Sequence, residues 1–183
     1  MHIPIAQPSL GNEENDAVLA VLASGMIAQG PVTAAFEDEF AAYCGVPHAV
    51  AVSNGTAALH AALLAAGVGP GDEVVVPAFT FFATASAVSM CGAVPVFADV
   101  DPATATIDPA DIIVKITEKT KAVIAVHLYG QPCDAAVVNK ICDARDLIFI
   151  EDAAQAHGAT YRGQKTGSLG DLACFSFYAT KNL

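Results

Sequence analysis

The stretch VVVPAFTFFATASAVSMCGAVPVFA, Val74–Ala98, contains no charged residue. By its length alone it could cross a bilayer as one helix. However, Pro77, Gly92 and Pro95 divide it into a valine run, a turn, a helix-length stretch of small residues and a second valine-rich run. Strands buried on both faces of a parallel sheet have such continuous apolar runs. The stretch therefore predicts a strand, a covering helix and a second strand, and not a membrane span.

The same alternation of Val/Ile-rich and Ala-rich stretches continues on both sides, which is typical of βα units joined by crossovers. The predicted strands are His48–Ser53, Glu73–Val76, Pro95–Ala98, Ala122–His127, Leu147–Glu151 and Ala173–Phe177. The predicted helices are Glu13–Ala23, Ala34–Tyr43, Thr56–Ala66, Thr80–Cys91 and Ala135–Ala144, with a weaker one near Asp108–Ile116. We therefore expect an α/β fold with a mostly parallel sheet and helices on both faces.

Composition excludes several classes of function. A chain with 54% hydrophobic and 15% charged residues is too apolar to be disordered, and its net charge of −11 disfavours binding to nucleic acid. Its five cysteines form no C-x-x-C pair and have no zinc-ligand spacing, so we expect reduced thiols in a cytoplasm and no metal site. The N-terminus is acidic and has no basic region, so it does not resemble a signal peptide.

The segment Ser53–Leu59, SNGTAAL, lies where a predicted strand turns into a helix. The free N–H groups and the dipole of a helix N-terminus favour an anion, so the segment is a candidate phosphate site. There Gly55 would allow close approach and Thr56 would add a hydroxyl. The alternative is an ordinary helix cap by Ser53 or Asn54. The dinucleotide motif G-x-G-x-x-G is absent, which disfavours an NAD protein.

An acidic pair, Glu151-Asp152, ends another predicted strand. Ligands of open α/β sheets bind beyond the carboxyl ends of the strands, where a carboxylate could hold a protonated ring nitrogen and Gln155 could reach another edge of the ring. Capping of a following helix by Asp152 is the alternative. We interpret His157 as structural, because the small residues on both sides of it suggest tight packing.

Two further segments follow predicted strands. Phe175–Lys181, FSFYATK, would bring Lys181 to the same edge of the sheet as the phosphate site, where it could act as a nucleophile; a solvated lysine is the alternative. Phe81 and Phe82 follow Pro77, and one ring could lie flat on a planar cofactor unless both pack in the core. Pyridoxal phosphate is one cofactor that requires all these groups together.

On these motifs, the sequence resembles the DegT/DnrJ/EryC1/StrS family of pyridoxal-phosphate-dependent sugar aminotransferases over nearly all 183 residues. The matching motifs are Ser24-Gly25 with Gln29-Gly30-Pro31, Ser53–Leu59, Gly69–Val74, Pro77–Thr84, His127–Gln131, Glu151–Gly158 and Ser176–Lys181. The resemblance implies the large domain of the fold-type I pyridoxal-phosphate transferases, with residues 1–183 as a partial cofactor-binding domain that lacks the C-terminal small domain.

The resemblance also implies roles for single residues. Lys181 would form the Schiff base with pyridoxal phosphate, Asp152 would contact the pyridine nitrogen, Phe81 would stack on the ring and Gln155 would contact the phenolic oxygen. The phosphate would be held by Gly55, Thr56, the backbone at Ala57, and Ser176. A carboxylate at the ring nitrogen keeps that nitrogen protonated, which makes the cofactor an electron sink.

The implied activity is transfer of an amino group from an amino acid donor, such as glutamate, to a keto group of a nucleotide-linked sugar. Some family members are dehydratases with histidine in place of the lysine, and Lys181 favours the aminotransferase. Members continue beyond the lysine through a glycine-rich turn and form homodimers, so we expect this chain to be a fragment with little activity alone. A non-catalytic remnant or interaction module is the alternative.

Overall fold

The structure is a computed structural model that describes residues 7–182. Its strands are β1 Glu73–Pro77, β2 Val94–Ala98, β3 Thr120–Val126, β4 Ile148–Asp152, β5 Thr160–Tyr161, β6 Gln164–Lys165 and β7 Leu172–Cys174. Its helices are α1 Asn12–Ser24, α2 Pro31–Cys44, α3 Gly55–Ala65, α4 Ala83–Met90, α5 Pro109–Lys115 and α6 Ala135–Asp143, with a 3₁₀ turn at Leu128–Gly130.

Five strands form one parallel sheet in the order β2-β1-β3-β4-β7. Neighbouring side chains along each strand point to opposite faces. On one face, Val75, Val123 and Phe149 pack with residues of α5 and α6. On the other face, Val74 and Ile124 pack with residues of α3 and α4. The predicted α/β fold with a parallel sheet covered on both faces is therefore confirmed.

The uncharged stretch Val74–Ala98 forms most of β1, then α4 and β2, as predicted. Within residues 7–182, no helix has the combination of length and apolar character that membrane crossing requires. Helix α4 is shorter than the predicted Thr80–Cys91, because the chain first makes a turn after Pro77 and becomes helical only at Ala83. Residues 80–82 are thereby left in the loop at the end of β1.

The prediction of a strand at His48–Ser53 is wrong. These residues belong to no ladder, and Val50 and Val52 are 77% and 44% exposed. Apolar alternation indicates a tendency to be buried, but a strand also needs a partner. Among the described residues neither this segment nor the outer edge of β7 has one, and an open groove separates the two. The amide of Ala51 instead donates to the carboxylate of Glu37, at 2.7 Å.

Strand β7 and the segment between β4 and β7 each differ from the sequence prediction. The strand predicted at Ala173–Phe177 begins one residue earlier and ends at Cys174, so the following residues are free to turn. The short hairpin β5–β6 was not predicted. Its turn residues Arg162 and Gly163 both have positive φ, 51° and 85°, as two-residue hairpins require, but Arg-Gly is a weak sequence signal for that turn.

Phe149 provides a test of the core. This residue of β4 is fully buried on the face of the sheet that α6 covers. Phe149→Ala should therefore lower the free energy of unfolding by about 4 kcal/mol, because it removes buried apolar surface and leaves a cavity. Denaturant unfolding monitored by circular dichroism measures this. Phe97→Ala, at a half-exposed position on edge strand β2, should cost less than about 1 kcal/mol. Equal costs would contradict the packing described.

Candidate functional site

The candidate residues lie at the carboxyl edge of the parallel sheet. From β1 the sheet extends to β2 on one side and, through β3 and β4, to β7 on the other, so consecutive connections diverge there. Such a switch point opens a crevice beyond the strand ends in which ligands bind. The loops after β1, β3, β4 and β7 and the first turn of α3 carry the groups described below.

Asp152 is the last residue of β4 and is 5% exposed. Its Oδ2 accepts a hydrogen bond from Thr84 Oγ1 at 2.9 Å, and its Oδ1 accepts one from the amide of Ala154 at a longer 3.3 Å. Burial raises the pKa of Asp152 above its ordinary value, although these two hydrogen bonds and the charge of Lys181 oppose the rise. No helix follows Asp152, so the alternative that it caps one is wrong.

Lys181 lies in a turn after β7, where its amide donates to the carbonyl of Tyr178 at 2.7 Å. Its side chain is half-buried, and its charge lowers the pKa of Asp152. The structure thus brings Lys181 and Asp152 within electrostatic range of each other, although they end different strand–loop units. A partly buried lysine within electrostatic range of a buried acid differs from the solvated lysine that the sequence left as an alternative.

The candidate phosphate site is the start of α3. Asn54 caps this helix, as one sequence alternative proposed, and its Oδ1 accepts from the amide of Ala57 at 2.9 Å. A Cβ added to Gly55 would lie 2.9 Å from the Cβ of Ser176, so the segment after β7 passes directly beside the helix start. The structure therefore brings Gly55, Thr56 and Ser176 together, while the amide of Ala57 already has an acceptor in Asn54.

The remaining two candidates occupy loops near Asp152. The Oε1 of Gln155 accepts from the amide of Tyr129 at 2.9 Å, which leaves the NH₂ group of Gln155 as a donor. Tyr129 adopts a left-handed conformation, φ 53°, in the turn after β3. Phe81 is 59% exposed and lies 4.6 Å from Phe82 between ring centroids, so the alternative that both rings pack in the core is wrong.

Sequence analysis missed the role of Glu151, the neighbour of Asp152. Both Glu151 and His127 are fully buried, with 2.8 Å between Oε2 and Nε2. The carboxylate also accepts from the amides of Gly167, Leu169 and Gly170 at 2.7–2.9 Å. Burial acts to raise the pKa of Glu151, but the hydrogen bonds from His127 and the amides outweigh it and hold the pKa below its ordinary value.

His157 packs against two aromatic rings. Its ring centroid is 5.2 Å from that of Phe175 and 5.1 Å from that of Phe177, in tilted and edge-to-face arrangements. Burial lowers the pKa of His157, and the nearby charge of Lys181 lowers it further, which favours the neutral ring at neutral pH. These contacts support the structural interpretation of His157.

The donor set fits pyridoxal phosphate on three observations. A buried carboxylate is available to a protonated ring nitrogen, a lysine lies within its electrostatic range, and a helix start beside Ser176 offers N–H groups and a hydroxyl to a phosphate. No cluster of three or more potential metal ligands occurs in the part of the chain that the structure describes. The fold and the donor set are therefore compatible with pyridoxal phosphate.

Comparison with known proteins gives the family. The profile of the DegT/DnrJ/EryC1/StrS aminotransferase family matches residues 8–183, and the chain belongs to this family. It is 51% identical to GDP-perosamine synthase of Caulobacter vibrioides, over 98% of this chain and 48% of that protein. The chain spans about half the length of the curated relatives it matches.

Solved structures of aminotransferases support the same family assignment. S. venezuelae DesV superposes with a TM-score of 0.92 at 46% identity, covering 94% of this chain and 46% of DesV. The PLP form of the putative sugar aminotransferase Spr1654 from Streptococcus pneumoniae superposes with a TM-score of 0.96 at 36% identity, covering all of this chain and 50% of Spr1654. The expected family and fold type are therefore confirmed.

The buried pair provides a test at the site. Glu151→Gln puts an amide NH₂ among backbone N–H donors and should lower the free energy of unfolding by about 3 kcal/mol at neutral pH. Because the native pKa of Glu151 lies below the ordinary 4.5, the stability that its ionisation contributes is complete above 4.5 and is lost as pH falls through the native value. The difference between wild type and variant should therefore shrink in acid.

Denaturant titrations at a series of pH values measure this difference. Glu118→Gln, at an exposed position, serves as the matched control and should leave the unfolding free energy within about 0.5 kcal/mol of wild type. A difference for Glu151→Gln that stayed constant from neutral pH into the acid range would contradict an ionised Glu151 in the native protein.

Proposed function

We propose that the protein containing this chain is a pyridoxal-phosphate-dependent aminotransferase that moves an amino group from an amino acid, such as glutamate, to the keto group of a nucleotide-linked sugar. The names of relatives support the sugar substrate: one is a GDP-perosamine synthase and another, from Streptomyces venezuelae, is dTDP-3-amino-3,4,6-trideoxy-alpha-D-glucose transaminase. The observation that carries the proposal is the buried Asp152 with Lys181 in electrostatic range at the mouth of the sheet.

The cofactor would be held by groups from four chain segments. Asp152 would receive the ring nitrogen, the free NH₂ of Gln155 would donate to the phenolic oxygen, and the exposed ring of Phe81 would cover one face. The helix start at Gly55 and Thr56, with the hydroxyl of Ser176, would bind the phosphate. The backbone amide of Ala57 would join them by exchanging the side chain of Asn54 for the phosphate.

The chemistry divides between the cofactor and the chain. When bound, pyridoxal phosphate supplies an electron sink next to the reacting carbon. Asp152 would keep a proton on the ring nitrogen, which a buried carboxylate does better than a solvated one because water does not compete for that contact. Lys181 Nζ would hold the cofactor and, as a neutral amine, would be the group that accepts and returns a proton.

We also propose a homodimer as the active state. Aromatic side chains beside the site are exposed in the single chain: Phe82 is 70%, Tyr129 78% and Tyr178 70% exposed. Exposed aromatic groups of this size favour a protein interface, since monomers seldom leave large apolar patches in water. Light scattering during gel filtration tests this.

Lys181 is tested by covalent labelling. In the protein as its gene encodes it, incubation with pyridoxal phosphate followed by borohydride should attach one pyridoxyl group to Lys181, identified by peptide mass spectrometry. Lys181→Ala should lose both the label and transamination. Lys165→Ala is the control, because the Nζ of Lys165 donates to the carbonyl of Tyr43, and this variant should retain the label. Labelling that persisted in Lys181→Ala would refute the assignment.

The phosphate site is tested at Gly55. The Cβ in Gly55→Ala would clash with Ser176 and separate the two, so the dissociation constant for pyridoxal phosphate should rise about tenfold. The affinity for pyridoxal, which has no phosphate, should change little. Gly69→Ala is a matched control, because a Cβ there meets nothing within 4 Å. Equal losses for both cofactors would contradict a phosphate site at this helix. Fluorescence titration measures all three proteins.

A further inference from the structure

A buried hydrogen-bonded chain of three side chains leads to Asp152. Thr84, in the first turn of α4, has no exposed surface and lies 2.9 Å from Asp152 Oδ2 through its Oγ1. The same Oγ1 lies 2.9 Å from the hydroxyl of Thr80, which is half-buried. Thr84 and Asp152 are 68 residues apart in sequence, so the contact depends on the fold.

The chain has one direction when Asp152 is ionised. A carboxylate can only accept hydrogen bonds, so the hydroxyl hydrogen of Thr84 is committed to Asp152. The oxygen of Thr84 is then left to accept, and the hydroxyl of Thr80 donates to it. Each hydroxyl thus supports the next, and a buried carboxylate receives a charge-assisted hydrogen bond from a donor that is itself oriented.

The same segment carries Phe81. It lies between the two threonines in sequence, and its carbonyl accepts from the amide of Thr84 at 3.1 Å. Thr84 therefore contacts the Phe81 turn through its backbone and Asp152 through its side chain. Two groups proposed for different parts of the cofactor, its ring face and its ring nitrogen, are connected through this one residue.

We infer that Thr84 is a positioning residue: its hydroxyl holds the carboxylate of Asp152 by Oδ2, leaves Oδ1 for the ligand, and ties the Phe81 turn to that carboxylate. The inference rests on the proposed function, because the ligand is the cofactor proposed above. Oδ1 is the available oxygen since its other contact, with the amide of Ala154, is the longer one at 3.3 Å. Thr84 itself would not touch the cofactor.

The electrostatics of Asp152 agree with this role. Burial raises its pKa, and the hydrogen bond from Thr84 opposes that rise together with the Ala154 amide and the charge of Lys181. Among the described residues, the buried thiol of Cys174 and the carboxylate of the preceding residue, Glu151, are further titratable groups near it. Removing the hydroxyl should therefore raise the pKa of Asp152 and weaken its hold on a protonated ring nitrogen.

Three substitutions distinguish the effect of the Thr84 hydroxyl from the effect of the packing of its side chain. Thr84→Val keeps the branched shape and removes the hydrogen bond; Thr84→Ser keeps the hydroxyl; Thr80→Val removes only the donor to Thr84. In the unloaded protein as its gene encodes it, difference infrared spectroscopy follows protonation of the carboxyl, with Asp152→Asn identifying the band. Fluorescence titration then gives the dissociation constant for pyridoxal phosphate.

We expect Thr84→Val to move the carboxyl titration to higher pH and to raise the dissociation constant for pyridoxal phosphate about tenfold. Thr80→Val should shift both in the same direction by less, and Thr84→Ser should restore both toward wild type. If Thr84→Val does not fold, as judged by circular dichroism, Thr80→Val should still show a larger change than Thr84→Ser in both the carboxyl titration and the dissociation constant. An unchanged titration and affinity in every variant that folds, or an equal loss in Thr84→Ser, would overturn the inference.

The test distinguishes this inference from the proposed function. If wild type takes up no pyridoxal phosphate, the proposed function fails, and the positioning role toward that cofactor fails with it, whatever the infrared titration shows. If wild type binds the cofactor at Lys181 but Thr84→Val leaves the infrared titration and the affinity unchanged, the positioning role alone fails. A shifted titration together with weaker binding supports both.

Discussion

The hydrogen bonds to the buried carboxylate of Glu151 hold together the edge of the sheet at which the candidate site lies. With no exposed surface, the carboxylate accepts four hydrogen bonds, one from His127 and three from amides of the loop before β7. An ionised group in the interior is tolerated only when such donors replace water. His127 is fixed in turn, because its Nδ1 accepts from the amide of Cys133 at 3.2 Å and Nε2 therefore carries the hydrogen. The ends of β3 and β4 and the approach to β7 are held together at this point.

Strand pleat gives the two neighbouring acids opposite tasks. Consecutive residues of β4 point to opposite faces of the sheet, so Glu151 faces the α6 side and Asp152 faces α4. Both oxygens of Glu151 accept hydrogen bonds from His127 and from backbone amides of the chain. Asp152, bonded to Thr84 and only weakly to the Ala154 amide, retains an oxygen for a ligand. The acid with an oxygen available to a ligand thus follows directly on an acid whose acceptors are all used within the protein.

Local patterns predicted what depends on local physics. The apolar runs broken by Pro77 and Pro95 predicted β1, α4 and β2 because burial and backbone restriction act over a few residues. The strand at His48–Ser53 was wrong because pairing depends on a partner elsewhere. Thr84 was missed because its contact with Asp152 exists only after the sheet brings distant loops together. Asp152, Lys181 and the helix start at Gly55 were proposed as site residues from their positions at strand ends and from family motifs, and they stay predictions.

The acid at the site is fixed by several elements. Asp152 ends a strand paired on both edges, follows Glu151 in sequence and is bonded to a helix through Thr84. Lys181 follows β7, which pairs with β4, and its amide donates to the carbonyl of Tyr178. Because β4 carries Asp152 and pairs directly with β7, the pairing of these two neighbouring strands sets the acid and the lysine at one edge of the sheet. A ligand that contacts both would therefore depend on that pairing.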